Sequence, residues 1–280
     1  MKQNTISAKR LEAFESWLYT TDHASGTVKK YLRDIHAFIC WLNGSPLSKE
    51  RVLTWREHLL GRYKPVTINA MLAALNSFFR FAGWDTLKIS FLKIQRRLFR
   101  DSSRELTRRD YERLLDTARV MKKERLALLI ETICSTGIRV SEVQYITVEA
   151  ARHGRAEIAL KGKIRSILLP RKICRKLLQY AKGRKIASGE IFLTGSGKQL
   201  SRRQIWAEMK RLSKAAGVAE TKVFPHNLRH MFAVVFYRAS RDIARLADVL
   251  GHSSIETTRL YLLTTGEEHR RQLDRLGLVL

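Results

Sequence analysis

The stretch Ala156-Glu157-Ile158-Ala159-Leu160-Lys161-Gly162-Lys163-Ile164-Arg165-Ser166-Ile167-Leu168-Leu169-Pro170 breaks the pattern of its surroundings. Ile158, Leu160, Ile167 and Leu169 mark short β-prone pieces on either side of Lys161-Gly162-Lys163, which reads as the tip of a hairpin. Around it the periods are helical. Leu106-Thr107 and Asp110 open one helix through Leu114 and Leu115, Leu126 to Cys134 is a second and strongly apolar one, and the chain from Arg171 onward is mainly helical. The pattern predicts an α-rich domain with a small antiparallel sheet.

Upstream, apolar residues recur at three- and four-residue intervals in four sets separated by turn signals. The first holds Leu11, Phe14, Trp17 and Leu18. The second follows Ser25-Gly26-Thr27 with Val28, Tyr31, Leu32, Ile35, Phe38 and Ile39, and stops near Asn43-Gly44. Val52, Leu53, Trp55, Leu59 and Leu60 form a third, and Ile68, Met71, Leu72, Leu75, Phe78 and Phe79 a fourth after Pro65. This is the pattern of a small helical bundle. Its polar faces carry Lys29, Lys30, Arg33, Lys49, Arg51, Arg56, Arg62 and Lys64, which suit a DNA backbone. The periodicity fades into a basic and polar run, so the expected organisation is a helical domain over 1–92, a linker over 93–105 and a second domain over 106–280. The fold class is mainly α with a small antiparallel β-sheet.

The 280 residues include 53 Lys plus Arg against 26 Asp plus Glu, a net charge of +27, while 45% hydrophobic content is that of a globular chain. Neighbouring cations repel, and such a surplus is relieved by a polyanion; nucleic acid is the first expectation. A membrane surface is not, since Lys and Arg recur along the chain instead of gathering on one amphipathic helix. No apolar run reaches the length of a membrane span and the N-terminus lacks a signal-peptide core, which leads us to expect a cytoplasmic protein. Cys40, Cys134 and Cys174 match no zinc spacing and are expected reduced and mostly in the core.

No Walker-type glycine loop or His-Glu-x-x-His pair is present. Four features combine instead: Thr136-Gly137-Ile138-Arg139-Val140-Ser141-Glu142; Lys161 in the hairpin; His226-Asn227-Leu228-Arg229-His230; and Leu250-Gly251-His252 with Tyr261 following. These residue types fit attack of a protein hydroxyl on a DNA phosphodiester. Two guanidinium forks, Arg139 and Arg229, suit the non-bridging oxygens of a phosphate in transfer. His226 and Arg229, at i and i+3, project from one helix face. A tyrosine near its ordinary pKa needs a base or a positive field, and a hairpin lysine can protonate the leaving sugar oxygen. Singly, each has a plainer reading: a helix end, a surface pair, a solvated turn lysine, a partly buried core tyrosine.

In their order and joint presence these residues resemble the tyrosine recombinase (phage integrase) family, and the helical first domain looks like that family's SAM-like core-binding domain. The resemblance implies a two-domain, Xer-like member in which Arg139 is the first arginine, Glu142 its acidic support, Lys161 the hairpin lysine, His226 and Arg229 the His-x-x-Arg pair, His252 the second histidine position and Tyr261 the nucleophile. The hairpin Leu160-Lys161-Gly162-Lys163 is one residue shorter than the family's and leaves Lys163 as an alternative to Lys161; Met231 and Leu262-Leu263 also depart from common family residues without removing a catalytic group.

The implied function is site-specific DNA recombination through a 3′-phosphotyrosine, with neither a metal nor a nucleotide cofactor. The implied partners are double-stranded DNA, a homotetramer on two recombining sites, and a second recombinase or accessory protein. The segment Glu267 to Leu280 is a piece that could dock in a neighbour or pack on its own domain. The lack of an additional N-terminal arm-binding domain leads us to expect a simple Xer-like, transposon-encoded or resolvase-like enzyme over a lambda-type one, and the strong positive charge a mobile-element enzyme over a chromosome-dimer resolver. The rival expectations are a type IB topoisomerase-like enzyme and a catalytically silent DNA-binding regulator.

Overall fold

The four apolar sets at the N-terminal end fold into four helices whose ends follow local chemistry. Ser7 accepts a hydrogen bond from the Arg10 N–H and opens α1 (Ala8–Thr20). Helix α2 (Ser25–Leu42) stops where Asn43 turns left-handed. Ser48 caps α3 (Lys49–Leu60), and Pro65 starts α4 (Pro65–Phe81) at a position where its missing N–H costs nothing. The computed structural model describes residues 5–94, 102–160, 163–262, 270, 271 and 274–276, in two compact units, Met1–Arg96 and Arg97–Leu280.

In the first unit Phe14, Phe38, Val52, Trp55, Ile68, Leu72, Phe78 and Phe79 are buried together, with Phe14 and Phe78 edge to face at 5.2 Å. Leu60, at the last position of α3, is half exposed. Two asparagines seven residues apart on α4 hold the chain beyond it. Asn76 and Asn69 each exchange a pair of hydrogen bonds with the backbone of Ile89 and Leu92, at 2.8–3.1 Å. Each side-chain amide thus mimics a strand partner and satisfies backbone groups that would otherwise lie unpaired against the bundle. Among the basic residues expected on polar faces, Lys30 and Arg33 pair with Asp34, and Lys49 donates to the Thr86 carbonyl.

The second unit is built on α6 (Glu124–Thr136), whose Leu126, Leu129, Ile130 and Ile133 are buried. Helix α5 (Arg108–Val120) packs on it and opens with a reciprocal capping box between Thr107 and Asp110. A short helix α7 (Val148–His153) leads to β1 (Arg155–Leu160) and β2 (Lys163–Leu168), paired antiparallel from Arg155 opposite Leu168 to Leu160 opposite Lys163. Ala156, Ile158 and Ile167 face the core while Leu168 faces out, the period-two alternation of a half-buried hairpin. Helices α8 (Arg171–Gly183), α9 (Arg202–Ala215), α10 (Pro225–Ser240), α11 (Ile243–Leu250) and α12 (Ile255–Arg259) complete the unit. The architecture is mainly α with one two-stranded antiparallel sheet among the described residues.

Lys161 lies outside the described residues, as do 95–101 of the expected linker and most of the segment from Glu267 to Leu280. Asn227 on α10 donates to the carbonyls of Arg104 and Lys222, fastening the start of the second unit. Cys174 is buried and Cys134 half-buried, whereas Cys40 stands exposed on the outer side of α2. Among the described residues no helix is long and apolar enough to cross a membrane.

Candidate active site

Gly137 ends α6 with φ +66°, and a β-carbon there would come within 2.4 Å of the Phe232 ring. Only glycine fits both the left-handed backbone and the space. The turn sends Arg139 into a short 3₁₀ segment, Val140–Tyr145, in which Glu142 is buried. Glu142 accepts from the Arg139 backbone N–H at 2.7 Å, from Arg139 Nη1 at 2.9 Å and from Arg165 Nη2 at 2.5 Å. Burial alone would raise the Glu142 carboxyl; the Arg139 N–H and the two guanidinium groups outweigh it and hold the carboxyl below its ordinary value. Arg139 keeps 39% of its side chain exposed and extends Nη2 to the Gly251 carbonyl at 3.3 Å.

Arg229 lies on the first turns of α10 and is only 2% exposed. Its Nη1 donates to the Gly137 carbonyl at 2.6 Å and its Nη2 to the Leu250 carbonyl at 2.8 Å, so it ties the end of α6 to the end of α11. Burial first, then the neighbouring Arg139 charge, lowers its guanidinium to about 10, which still leaves it protonated at neutral pH. Nη2 also lies 2.9 Å from His252 Nε2. Since a guanidinium only donates, Nε2 accepts, and the ring proton sits on Nδ1, which donates to Thr258 Oγ1 at 2.8 Å. Burial, followed by the charges of Arg229, Arg139 and Arg165, lowers His252 to about 4. His252 is therefore neutral at pH 7.

Tyr261, just beyond α12, is 6% exposed. Its ring centroid lies 5.5 Å from His226, 5.2 Å from His230 and 5.6 Å from His252, the last stacked at 18°. Burial and then the charge of Arg229 lower His226 as well. The structure thus brings together Arg139, Glu142, His226, Arg229, His252 and Tyr261, residues drawn from four separated segments. Lys163 pairs by its backbone with Leu160 at the mouth of the hairpin.

Two further residues belong to this cluster. His230 follows His226 by one helical turn, and that i, i+4 spacing places it beside the same tyrosine. Arg165 shares the inward parity of Ile167 on β2 and of Leu169 just past its end, so an arginine at a core-facing position was the signal for it.

Residues 104–267 match the phage integrase family, and residues 11–85 match its N-terminal SAM-like domain. The chain is similar to the tyrosine recombinase XerA of Thermococcus kodakarensis, 28% identical over 280 residues that cover 96% of this chain and 95% of the relative. It is 29% identical over 282 residues to the tyrosine recombinase XerC of Roseiflexus castenholzii, covering 90% and 88% of the two chains. In fold it resembles the Tn1549 transposon integrase solved with transposon right end DNA, with a TM-score of 0.69 at 16% identity over 96% of this chain and 99% of that one. It also resembles a lambda integrase tetramer bound to a Holliday junction, with a TM-score of 0.73 at 17% identity over 93% and 78%. With more than half of its residues matching the one family and its first unit matching that family's N-terminal domain, the chain belongs to the phage integrase family, the tyrosine recombinases.

Proposed function

We propose that the chain is a site-specific recombinase that cleaves duplex DNA through a 3′-phosphotyrosine at Tyr261. The observation that carries this reading is the position of the Tyr261 ring within 5.2–5.6 Å of three histidines, in a site whose walls hold Arg139 and Arg229. The Tyr261 oxygen attacks phosphorus, an O–P bond forms and the bond to the 5′ oxygen breaks. His226, held toward the neutral form, is able to take the phenolic proton, while His252, whose two ring nitrogens are engaged by Arg229 and Thr258, packs against the Tyr261 ring. Arg139 and Arg229 bind the non-bridging oxygens, and Lys161 gives a proton to the departing 5′ oxygen. Attack by the 5′ hydroxyl of another strand reverses the step, so the exchange conserves the bond energy and consumes no nucleotide. Four copies of the chain act on two duplex sites.

Tyr261 and Arg229 are both covered. The affinity for the polyanion comes from the surplus of 53 basic over 26 acidic residues.

The test begins with duplexes carrying randomised half-sites about a short spacer, nicked so that the cleaved fragment diffuses away. Full-length protein should capture a subset covalently under denaturing conditions, and two differently labelled copies of the captured duplex should then exchange arms. Capture followed by relaxation of a supercoiled circle, with no exchange between two sites, would contradict recombination in favour of a topoisomerase. Absence of any adduct would contradict both.

A further inference from the structure

Arg165 stands on β2 and connects the hairpin to the two turns that frame the site. Its side chain is 17% exposed, its Nη2 pairs with Glu142 Oε2 at 2.5 Å, and its Nη1 reaches the Val249 carbonyl at 3.3 Å. Its stem and head lie against Gly251, where a β-carbon would come within 2.5 Å of Arg165 Nη1 and 2.6 Å of Cδ. Gly251 also has φ +63°, and its carbonyl accepts from Arg139. Glu142 is thus shared. Arg139 supplies two donors to it and Arg165 the third, and the Oε2 atom that holds the Arg139 backbone N–H is the atom that Arg165 grips.

We infer that Arg165 is a positioning residue for Arg139, acting through Glu142 and the Gly251 turn. Two physical consequences follow from the geometry. The first is orientation: a buried carboxylate held from one side only can rotate about its last bonds, whereas a second, opposed guanidinium fixes its plane and with it the direction of Arg139. The second is charge. A single carboxylate paired with a single arginine cancels its positive field, while one carboxylate divided between two arginines leaves a net positive charge at the more exposed of them, Arg139, where a phosphate would bind. Because Arg165 lies two residues after Lys163 on β2, the same contact fixes the start of that strand.

The inference rests on the recombinase reading, and the test separates the two. Full-length wild type, Arg165→Lys and Arg165→Gln are compared on the nicked duplex captured by the wild type, measuring single-turnover adduct formation and, separately, DNA affinity. Arg165→Gln should form adduct about 10- to 100-fold more slowly with affinity within about threefold of wild type, and Arg165→Lys, which can still reach Glu142, should recover most of the rate. A wild-type rate for Arg165→Gln, a loss found wholly in affinity, or a lysine variant as slow as the glutamine one would overturn the assignment. If Arg165→Gln does not fold, Glu142→Gln is compared with Glu142→Gln/Arg165→Gln, in which neutral amides replace the buried charges. No further slowing in the double variant is expected, and an additional tenfold loss would overturn the proposal. Failure of the wild type itself to form adduct would count against the recombinase reading and not against Arg165 alone.

Discussion

Arg229 and His252 meet across 2.9 Å between Nη2 and Nε2, and the contact fixes the charge of the histidine as well as its place. An imidazolium would have no acceptor to offer the guanidinium. His252 is lowered to about 4 from an ordinary 6.5, mainly by burial and next by the Arg229 charge.

Between those two values the unfolded chain binds a proton that the folded chain refuses, so this contribution to stability is complete above about pH 6.5 and is lost as pH falls through about 4. His226 acts in the same direction. Thermal midpoints measured from pH 7 to pH 4.5 should fall on acidification, and fall less steeply in His252→Gln, whose amide can accept from Arg229 and donate to Thr258. Equal slopes for the two proteins would show that His252 titrates normally.

The two arginines should part company in stability while agreeing in chemistry. Arg229→Lys strands two buried carbonyls, those of Gly137 and Leu250, and should lower unfolding free energy by roughly 2–4 kcal/mol. Arg139→Lys leaves Glu142 its backbone N–H and Arg165, and should cost about 1 kcal/mol or less. Both should slow adduct formation severely, because one ammonium cannot replace a two-donor fork at a phosphate. Urea unfolding and single-turnover cleavage read the two effects separately.

Gly137→Ala and Gly154→Ala both place a side chain at positive φ, +66° and +70°, yet only the first meets a neighbour, the Phe232 ring at 2.4 Å. Backbone strain should cost Gly154→Ala about 1 kcal/mol, and Gly137→Ala about 2 kcal/mol or more, as measured by urea midpoint.

What the sequence made legible was whatever repeats locally. Ile68, Met71, Leu72, Leu75, Phe78 and Phe79 stand at helical spacing and are all buried in α4, and the alternation through Ile158 and Ile167 marks the hairpin. The clustered site residues were legible as short motifs of distinctive residue types. Arg165 was marked only by its core-facing parity, and its role was not legible, because its partner Glu142 lies 23 residues away and nothing in either local pattern demands the other. The Thr258 contact that sets the His252 tautomer was hidden for a related reason: a buried threonine on a short polar helix looks like a solvated one until the tertiary fold covers it. Cys40, adjacent to Ile39 and Trp41, shows the converse, an apolar neighbourhood in sequence that falls on the outer side of a helix.

For the proposed proton donor, Lys161→Ala should cleave ordinary DNA on the order of a hundredfold to ten-thousandfold more slowly and regain speed on a duplex whose leaving 5′ oxygen is replaced by sulfur, which departs without a proton. Lys163→Ala should show no such rescue. The reverse pattern would move the role to Lys163.

The most direct measurement is adduct formation by Tyr261→Phe on the duplex captured by the wild type. The substitution keeps the ring packed among His226, His230 and His252 and removes only the hydroxyl. DNA affinity should stay near that of the wild type while the covalent adduct disappears altogether. An adduct that persists in Tyr261→Phe would contradict the account and move the nucleophile to another tyrosine, with Tyr237 on α10 the next to examine.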